Sequence, residues 1–312
     1  MASTGLLRPS TGQALVHQRD RRWNRWRRAI PLYAMLLPTI AYFIVFTYYP
    51  LVHSVLISMQ DFNLIGNRPF VGLENYRNVL TDPTFWADFR NTLMLGISML
   101  TIGFVAPIVI ALSLNELLQQ WMKRTFQMVI YLPHLFSWAV VGGLWVEILN
   151  PDGGLVNAVL NAFGISSVQF MSDPNVARWV IILVSVWKDV GFNCVIYLAA
   201  LAGINPELYA SAQVDGANRW QETWYVTIPG LARTMQIVGL LSIMGVLQMF
   251  DQIFVMRNAV IQPKVDVLMT YVYDQGLTQM NIGQATASAL IILVFTLLLT
   301  VFTQRLVRYD TI

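Results

Sequence analysis

Six long apolar stretches divide this sequence, and they constrain its fold more than any other feature. A helix crosses the hydrocarbon core of a bilayer, which is about 30 Å thick, with about 20 mostly apolar residues. Each of the six stretches is at least that long, so we predict an all-α fold, a polytopic membrane bundle of six transmembrane helices. The predicted spans are residues 30–59, 89–118, 125–149, 177–204, 231–256 and 282–306.

Composition excludes a soluble globular domain of this length. Apolar residues make up 56% of the chain and charged residues 12%, whereas about one residue in four is charged in an ordinary soluble domain. Where lipid replaces water as the surrounding solvent, apolar side chains in this proportion can face outward.

Positive charge is concentrated in the N-terminal segment 1–29, which holds seven arginines against the single acid Asp20. We predict a basic cytoplasmic tail over 1–29, followed by a six-helix transmembrane domain over 30–312, with both termini cytoplasmic. An arginine cluster can also bind nucleic acid, but this one directly precedes a membrane span.

The sequence lacks the usual patterns for metal binding and nucleotide hydrolysis. Its single cysteine, Cys194, excludes an intrachain disulfide and a cysteine metal cluster. The three histidines show no metal-ligand spacing. None of the three lysines is followed by serine or threonine, as a phosphate-binding loop requires. We therefore expect no catalytic residues, metal or cofactor in this chain.

The polar segment 205–230 reads as two short helices that meet at a glycine. Asn205 is a suitable N-cap for the first helix, and Gly216 can adopt the left-handed conformation that ends it. Asn218 begins a capping box for the second helix. Pro229 is predicted to end that helix before the fifth span.

This segment is also unusually apolar for a connection on the water side. Such a surface indicates either a docking site for another protein or an amphipathic helix that lies in the lipid headgroups. The apolar residues predicted to face water are Leu208, Tyr209, Ala212, Val214, Trp220 and Trp224.

The same segment resembles the "EAA" coupling loop of permease subunits in binding-protein-dependent ABC sugar importers of the maltose type. That pattern is Glu-Ala-Ala, three residues, Gly, nine residues, then Ile-x-Leu-Pro. The pattern's glutamate is replaced here by Ala210, and Glu207 lies one turn earlier as a candidate substitute. The positions that match are Ala210, Ser211, Ala212, Asp215, Gly216, Ala217, Val226, Ile228 and Pro229.

The resemblance extends over nearly the whole chain. Residues 70–86 and 91–93 resemble the first extracytoplasmic segment of sugar-uptake permeases, and residues 266–273 with 285–289 resemble the approach to their last helix. The segments 186–188 and 250–253 resemble their fourth and fifth core helices. The sequence departs from the family at Arg257, where many relatives carry a glycine-rich turn.

The resemblance implies one subunit of a larger machine in a bacterial or archaeal cytoplasmic membrane. It implies a second homologous permease subunit, two ATPase subunits that bind ATP and Mg, and an extracytoplasmic sugar-binding protein as partners. The substrate would be a carbohydrate, an oligo- or polysaccharide, moved by alternating access. Because the resemblance assigns the coupling loop to contact with the ATPase, Glu207 and the matching residues would carry that contact.

Polar side chains at membrane depth are the candidates for the substrate pathway, because lipid exposure would be costly for them. The spacing of Ser185, Asp189 and Asn193 puts them on one helical face, and Trp187 or Tyr197 could stack on a sugar ring. These groups could instead bond between helices and hold the bundle together. The predicted pathway residues are Ser185, Trp187, Lys188, Asp189, Asn193, Ser242, Gln248 and Gln252.

Three small residues, Gly142, Gly143 and Gly191, are expected to allow close approach between helices.

Two functions other than sugar import remain open from the residues alone. Lys188, Asp189 and Asp251 could form the relay of an ion-coupled secondary transporter, with Lys188 and Asp189 either neutralising each other or finding partners on other helices. The structured cytoplasmic loop also permits a membrane scaffold without transport activity.

Overall fold

A computed structural model describes residues 31, 33–62 and 68–306 of the chain. Among these residues, five helices are long and apolar enough to cross a membrane, and a sharply bent helix pair makes a sixth crossing if it is counted as one span. The helices are α1 (Tyr33–Ser58), α2 (Glu74–Thr81), α3 (Pro83–Asn115), α4 (Gln120–Tyr131), α5 (Trp138–Ile148), α6 (Leu155–Ala162), α7 (Pro174–Ala202), α8 (Pro206–Val214), α9 (Arg219–Val246), α10 (Asp251–Met256), α11 (Gln262–Val265), α12 (Leu268–Tyr273) and α13 (Ile282–Leu306).

The predicted basic tail lies outside the described residues. The chain divides into two compact units, residues 1–57 and 58–312. Most of α1 belongs to the first unit, where a π-helical turn at Ile44–Tyr48 interrupts it. All the other helices belong to the second unit.

Asp-Pro pairs begin the two longest spans and explain why these spans start earlier than hydropathy predicts. Asp82 caps α3 and accepts a hydrogen bond from the backbone N–H of Thr84 at 2.8 Å. Asp173 caps α7 in the same way, with the N–H of Asn175 at 2.8 Å. Proline suits the first helical position because that position needs no N–H donor.

The prediction of one helix over 125–149 is wrong. The chain forms α4 and α5, which meet at an angle of 100°. Between them, Leu132–Leu135 is a 3₁₀ turn with Pro133 at its start. Ser137 then caps α5 and accepts a hydrogen bond from the N–H of Val140, so the backbone begins a new helix in a new direction.

The predicted fifth span, 231–256, is wrong at both ends. α9 begins at Arg219 and passes through Pro229 without ending there. A π-helical turn at Thr223–Thr227 precedes the proline, and the N–H of Ile228 donates to the carbonyl of Thr223. This wider turn moves aside the backbone that the proline ring would otherwise crowd. The helix ends at Val246, and α10 is a separate short helix.

α3 and α7 form the centre of the second unit. α3 contributes Phe85, Leu95 and Ala111 to three different buried apolar clusters. α7 contributes Ile181 to the first of these clusters and Leu201 to the second. The two helices therefore fix the positions of α9 and of the short helices that follow it.

Candidate functional site

A cavity of about 210 Å³ lies between α3, α7, α9 and the start of α10. Its polar lining comes from α7, α9 and α10, and its apolar lining includes Met99 and Met249. The predicted common face of α7 is confirmed, since its three polar residues all reach this cavity. The polar residues are Ser185, Asp189, Asn193, Ser242 and Gln252.

The other three predicted pathway residues do not line this cavity. Trp187 packs edge to face against Trp145, with ring centroids 5.5 Å apart. Gln248 is exposed in the break between α9 and α10. The stacking role suggested for Tyr197 is wrong, because its side chain is completely buried in an apolar cluster.

Lys188 and Asp189 do not neutralise each other, because both contact the bend between α4 and α5. The buried ammonium of Lys188 donates to the backbone carbonyl of His134 at 3.4 Å and lies 5.1 Å from the centre of the Trp138 ring. Asp189 instead meets the imidazole of His134, at 3.1 Å between Oδ1 and Nδ1.

His134 is the site residue that the sequence reasoning missed. Its ring stacks on Phe192 of α7, with centroids 4.8 Å apart, and its Nδ1 faces Asp189. A single histidine in an apolar stretch shows no recognisable pattern. The signal that could have found it is Pro133, which marks the bend that carries the imidazole to α7.

The local structure predicted for the segment 205–230 is confirmed in its caps and its turn. Asn205 accepts a hydrogen bond from the N–H of Glu207 at 3.1 Å, which caps α8. Gly216 adopts a φ of +81° after the end of α8. Asn218 and Gln221 form a reciprocal capping box at the start of α9, at 2.8 and 2.9 Å.

The apolar surface predicted for this loop is mostly present. Val214 is 88% exposed, and Trp220 and Trp224 are also exposed and pack edge to face at 5.8 Å. Leu208 is exposed as well. The prediction is wrong for Tyr209, which is half-buried because its hydroxyl shares a hydrogen bond with Thr227 at 3.0 Å. Ala212 is half-buried too.

The side chains at the positions that match the coupling pattern are mostly accessible. Glu207 is exposed and accepts a hydrogen bond from the side-chain amide of Asn205 at 3.3 Å. The half-buried members of the set are Ala212, Ala217, Val226 and Ile228. The exposed members are Ala210, Ser211, Asp215, Gly216 and Pro229.

A family model described as "Binding-protein-dependent transport system inner membrane component" matches residues 103–309. The chain belongs to this family. It is therefore a multi-pass membrane protein and a permease subunit of a binding-protein-dependent transport system, and the comparisons give no support to the ion-coupled alternative.

Similar proteins match the permease along most of their length. The Polygalacturonan/rhamnogalacturonan transport system permease protein YteP of Bacillus subtilis (strain 168) is 33% identical, over 89% of this chain and 87% of its own. A chain from the crystal structure of a bacterial ABC transporter involved in the import of the acidic polysaccharide alginate is 33% identical. It superposes with a TM-score of 0.87, over 94% of this chain and 100% of its own.

A second crystal structure shows a bacterial alginate ABC transporter in complex with an alginate pentasaccharide-bound periplasmic protein. One of its chains is 34% identical to the permease, with a TM-score of 0.86 over 93% of this chain and 98% of its own.

A polar network that was not predicted from sequence holds α11 of the permease against α3 and α7. The guanidinium of Arg178 donates to the carbonyl of Lys264 at 2.8 and 3.1 Å and to the side-chain oxygen of Asn91 at 3.1 Å. Asn91 in turn donates to the carbonyls of Pro263 and Asp266 at 3.2 and 3.1 Å. The last turn of α11 therefore has its carbonyls satisfied by side chains of two spans.

Arg257 forms an ion cluster with two aspartates in the segment that follows α10. Its two terminal nitrogens each lie 2.8 Å from a carboxylate oxygen of Asp274, and one lies 3.3 Å from Asp266. The hydrogen bonds that Arg257 donates to Asp274 raise the pKa of Arg257. Burial raises the pKa of Asp266 to about 6, although the charge of Arg257 opposes this shift. The arginine that departs from the family pattern therefore ties α10 to the segment after α12.

Proposed function

We propose that this permease conducts a carbohydrate, an oligo- or polysaccharide, through the cytoplasmic membrane in an importer driven by separate ATPase subunits. The observation that carries the proposal is the match to a chain of the alginate importer, with a TM-score of 0.87 over 94% of this chain and all of that chain. The name of the Bacillus relative, a polygalacturonan/rhamnogalacturonan permease, points to the same class of substrate.

The chemistry of the cavity suits a saccharide. Ser185 and Ser242 present hydroxyls, Asn193 and Gln252 present amides, and Asp189 presents a carboxylate. Hydroxyls and amides both donate and accept hydrogen bonds, so they can exchange partners with successive sugar hydroxyls. Met99 and Met249 supply the apolar wall against which the carbon face of a sugar ring can lie.

The continuous helix α9 offers a mechanical route from the cytoplasmic loop to the cavity. Its first turn belongs to the predicted coupling loop and its last turns carry Ser242, about 35 Å away along the helix axis. If an ATPase seats on the exposed surface around Leu208, Val214 and Trp220, its closure displaces α9 as a unit. That movement would alternate the access of the cavity between the two sides of the membrane.

Four kinds of partner follow from this function. They are a second homologous permease subunit, two ATPase subunits that hold ATP and Mg, an extracytoplasmic sugar-binding protein, and membrane lipid. The alginate importer solved with a saccharide-loaded periplasmic protein supports the third of these partners. Both termini and the loop 205–230 would lie on the cytoplasmic side. The chain itself would hold no cofactor.

Reconstitution with the partner subunits tests the proposal. Proteoliposomes that contain both permeases and the ATPases, supplied with loaded binding protein, should take up labelled oligosaccharide only with ATP and should stop with vanadate. Gly216→Val should lower uptake per ATP hydrolysed, since a β-branched residue is strained at the φ of +81°.

Gly216→Asn is the matched control, because asparagine tolerates this conformation, and it should keep the wild-type ratio of uptake to hydrolysis. Two results would count against the proposal. Uptake that survives vanadate but collapses with an uncoupler would indicate an ion-coupled transporter. An unchanged ratio of uptake to ATP hydrolysis in Gly216→Val would contradict the coupling role of the loop.

A further inference from the structure

The residues that line the cavity include one with an ionisable side chain. Among the residues that line it, Asp189 is the only one that carries a formal charge. The remaining polar groups are the neutral hydroxyls and amides of Ser185, Asn193, Ser242 and Gln252. This half of the pathway therefore presents neutral hydrogen-bonding groups and one negative charge to its substrate.

The two cationic side chains of α7, the helix that carries Asp189, are committed to other partners. Lys188 precedes Asp189 on α7, but its ammonium contacts the carbonyl of His134 and the ring of Trp138. Arg178, also on α7, donates to the carbonyl of Lys264 and to Asn91. None of the lysines and arginines in the described part of the chain lines the cavity.

Asp189 is held with its charge toward this space. His134 occupies one carboxylate oxygen, Oδ1, at 3.1 Å, and the Asp189 side chain is still 52% exposed. The second oxygen can accept a hydrogen bond from a sugar hydroxyl. An ionised carboxylate has no hydrogen to donate, so Asp189 cannot bind the carboxylate of a uronic acid and would repel it.

We infer that this half of the pathway selects an uncharged saccharide, and that Asp189 is the residue that disfavours uronate-containing chains. This inference rests on the proposed carbohydrate function and narrows it. The inferred substrate is uncharged and therefore differs from that of the solved relative, which belongs to an importer of the acidic polysaccharide alginate. His134 acts through Asp189, as a positioning residue that orients the carboxylate.

Matched substrate pools give the sharpest test. Uronate oligosaccharides from pectin and alginate are split into two portions, and one portion is chemically reduced so that each carboxylate becomes a neutral hydroxymethyl group. The two pools share their linkages and lengths and differ only at C6, where a neutral hydroxymethyl group replaces the charged carboxylate. Initial rates of ATP-driven uptake of each pool are measured with the complete transporter and one preparation of its binding protein.

The wild-type transporter should take up the reduced pool roughly tenfold faster or more than the native pool, because like charges at close quarters are strongly unfavourable. Asp189→Asn should narrow this preference severalfold, since the amide keeps the shape and removes the charge. Asp189→Glu should keep the preference, which guards against an effect of altered folding. Asp152→Asn changes an exposed acid outside the cavity and should leave the ratio unchanged.

Faster uptake of the native uronates by the wild type would overturn the inference while leaving the carbohydrate function intact. A ratio that Asp189→Asn does not move would also overturn it. Uptake of neither pool would also overturn the inference, whereas uptake that persists without ATP would contradict the proposed ATP-driven carbohydrate import itself.

Discussion

At the scale of single residues, Gly191 is the clearest case of a side chain excluded by its surroundings. It lies on α7 where the end of α4 crosses, and a Cβ atom added there would collide with the carbonyl of Ile130 and lie 2.8 Å from the Cα of Tyr131. These are backbone atoms that cannot move independently. We expect Gly191→Ala to lower the free energy of unfolding by about 1–3 kcal/mol, measured by thermal unfolding in detergent.

Gly143→Ala is the matched control, because nothing lies within 4 Å of the corresponding Cβ on α5. Alanine is the better helix former by up to about 1 kcal/mol, so this variant should be neutral or slightly stabilised. A Gly191→Ala protein that melts like Gly143→Ala would show that α4 and α7 do not approach as closely as described.

The sequence predicted close approach at three glycines without distinguishing among them. The prediction is confirmed for Gly191 and for Gly142, whose added Cβ would lie 2.7 Å from a methyl group of Val255. It is wrong for Gly143. A glycine in an apolar stretch permits close approach of another helix. Whether a helix does approach depends on the tertiary packing, which the local sequence does not report.

The same limit applies to the charged pair at the cavity. Sequence spacing correctly put Ser185, Asp189 and Asn193 on one face of α7. It could not show that Lys188 and Asp189 both turn to His134, because that contact requires the bend at Pro133. Contacts such as Asn91 to the carbonyl of Asp266 join residues far apart in the chain, and no local pattern reports them.

At the scale of elements, the stability of the segment from α10 to α12 depends on the protonation of one carboxyl group, that of Asp266. Asp266 is 15% exposed beside Arg257, and burial raises its pKa from 3.8 to about 6. Folding therefore favours the protonated form. The stabilisation from this group is complete below about pH 4, declines as pH rises through about 6, and is absent above that.

We expect the melting temperature of the wild type relative to Asp266→Asn to fall as pH rises from 4 to 6. The total effect on the free energy of unfolding should be on the order of 1–3 kcal/mol. Asp251→Asn, at an exposed acid on α10, controls for the general effect of removing a negative charge. A wild-type advantage that grows across this range would contradict the raised pKa.

Predicted helix ends illustrate what hydropathy can and cannot locate. The bounds of α13, Ile282–Leu306, agree with the prediction, because polar residues flank this apolar stretch. Pro107 remains inside α3, whereas Pro133 lies in a sharp bend and the break after Val246 contains no proline. Within a membrane a proline is tolerated wherever neighbouring groups satisfy the freed backbone, so the packing partners decide where a span breaks.

At the scale of the whole molecule, the distribution of charge predicts how the chain is oriented. The loop 205–230, the C-terminal end of α3 and the start of α9 share one side. There the side chains of Glu116 and Arg219 form an ion pair at 2.7 Å. The turn around Asp152 follows α5, and a single long span, α7, separates it from the loop. The two segments must then face opposite sides of the membrane.

Cysteine labelling can test this orientation directly, because the chain has only one cysteine to remove. Cys194 is buried, so Cys194→Ser supplies the background for Ser211→Cys in α8 and Asp152→Cys in the turn before α6, both at exposed positions. In intact cells a membrane-impermeant maleimide should label the second position and spare the first. In inverted vesicles the pattern should reverse. Labelling of both positions from one side would contradict a crossing by α7 between them. Labelling of Ser211→Cys in intact cells would place the coupling loop on the opposite face from the one that the positive charge predicts.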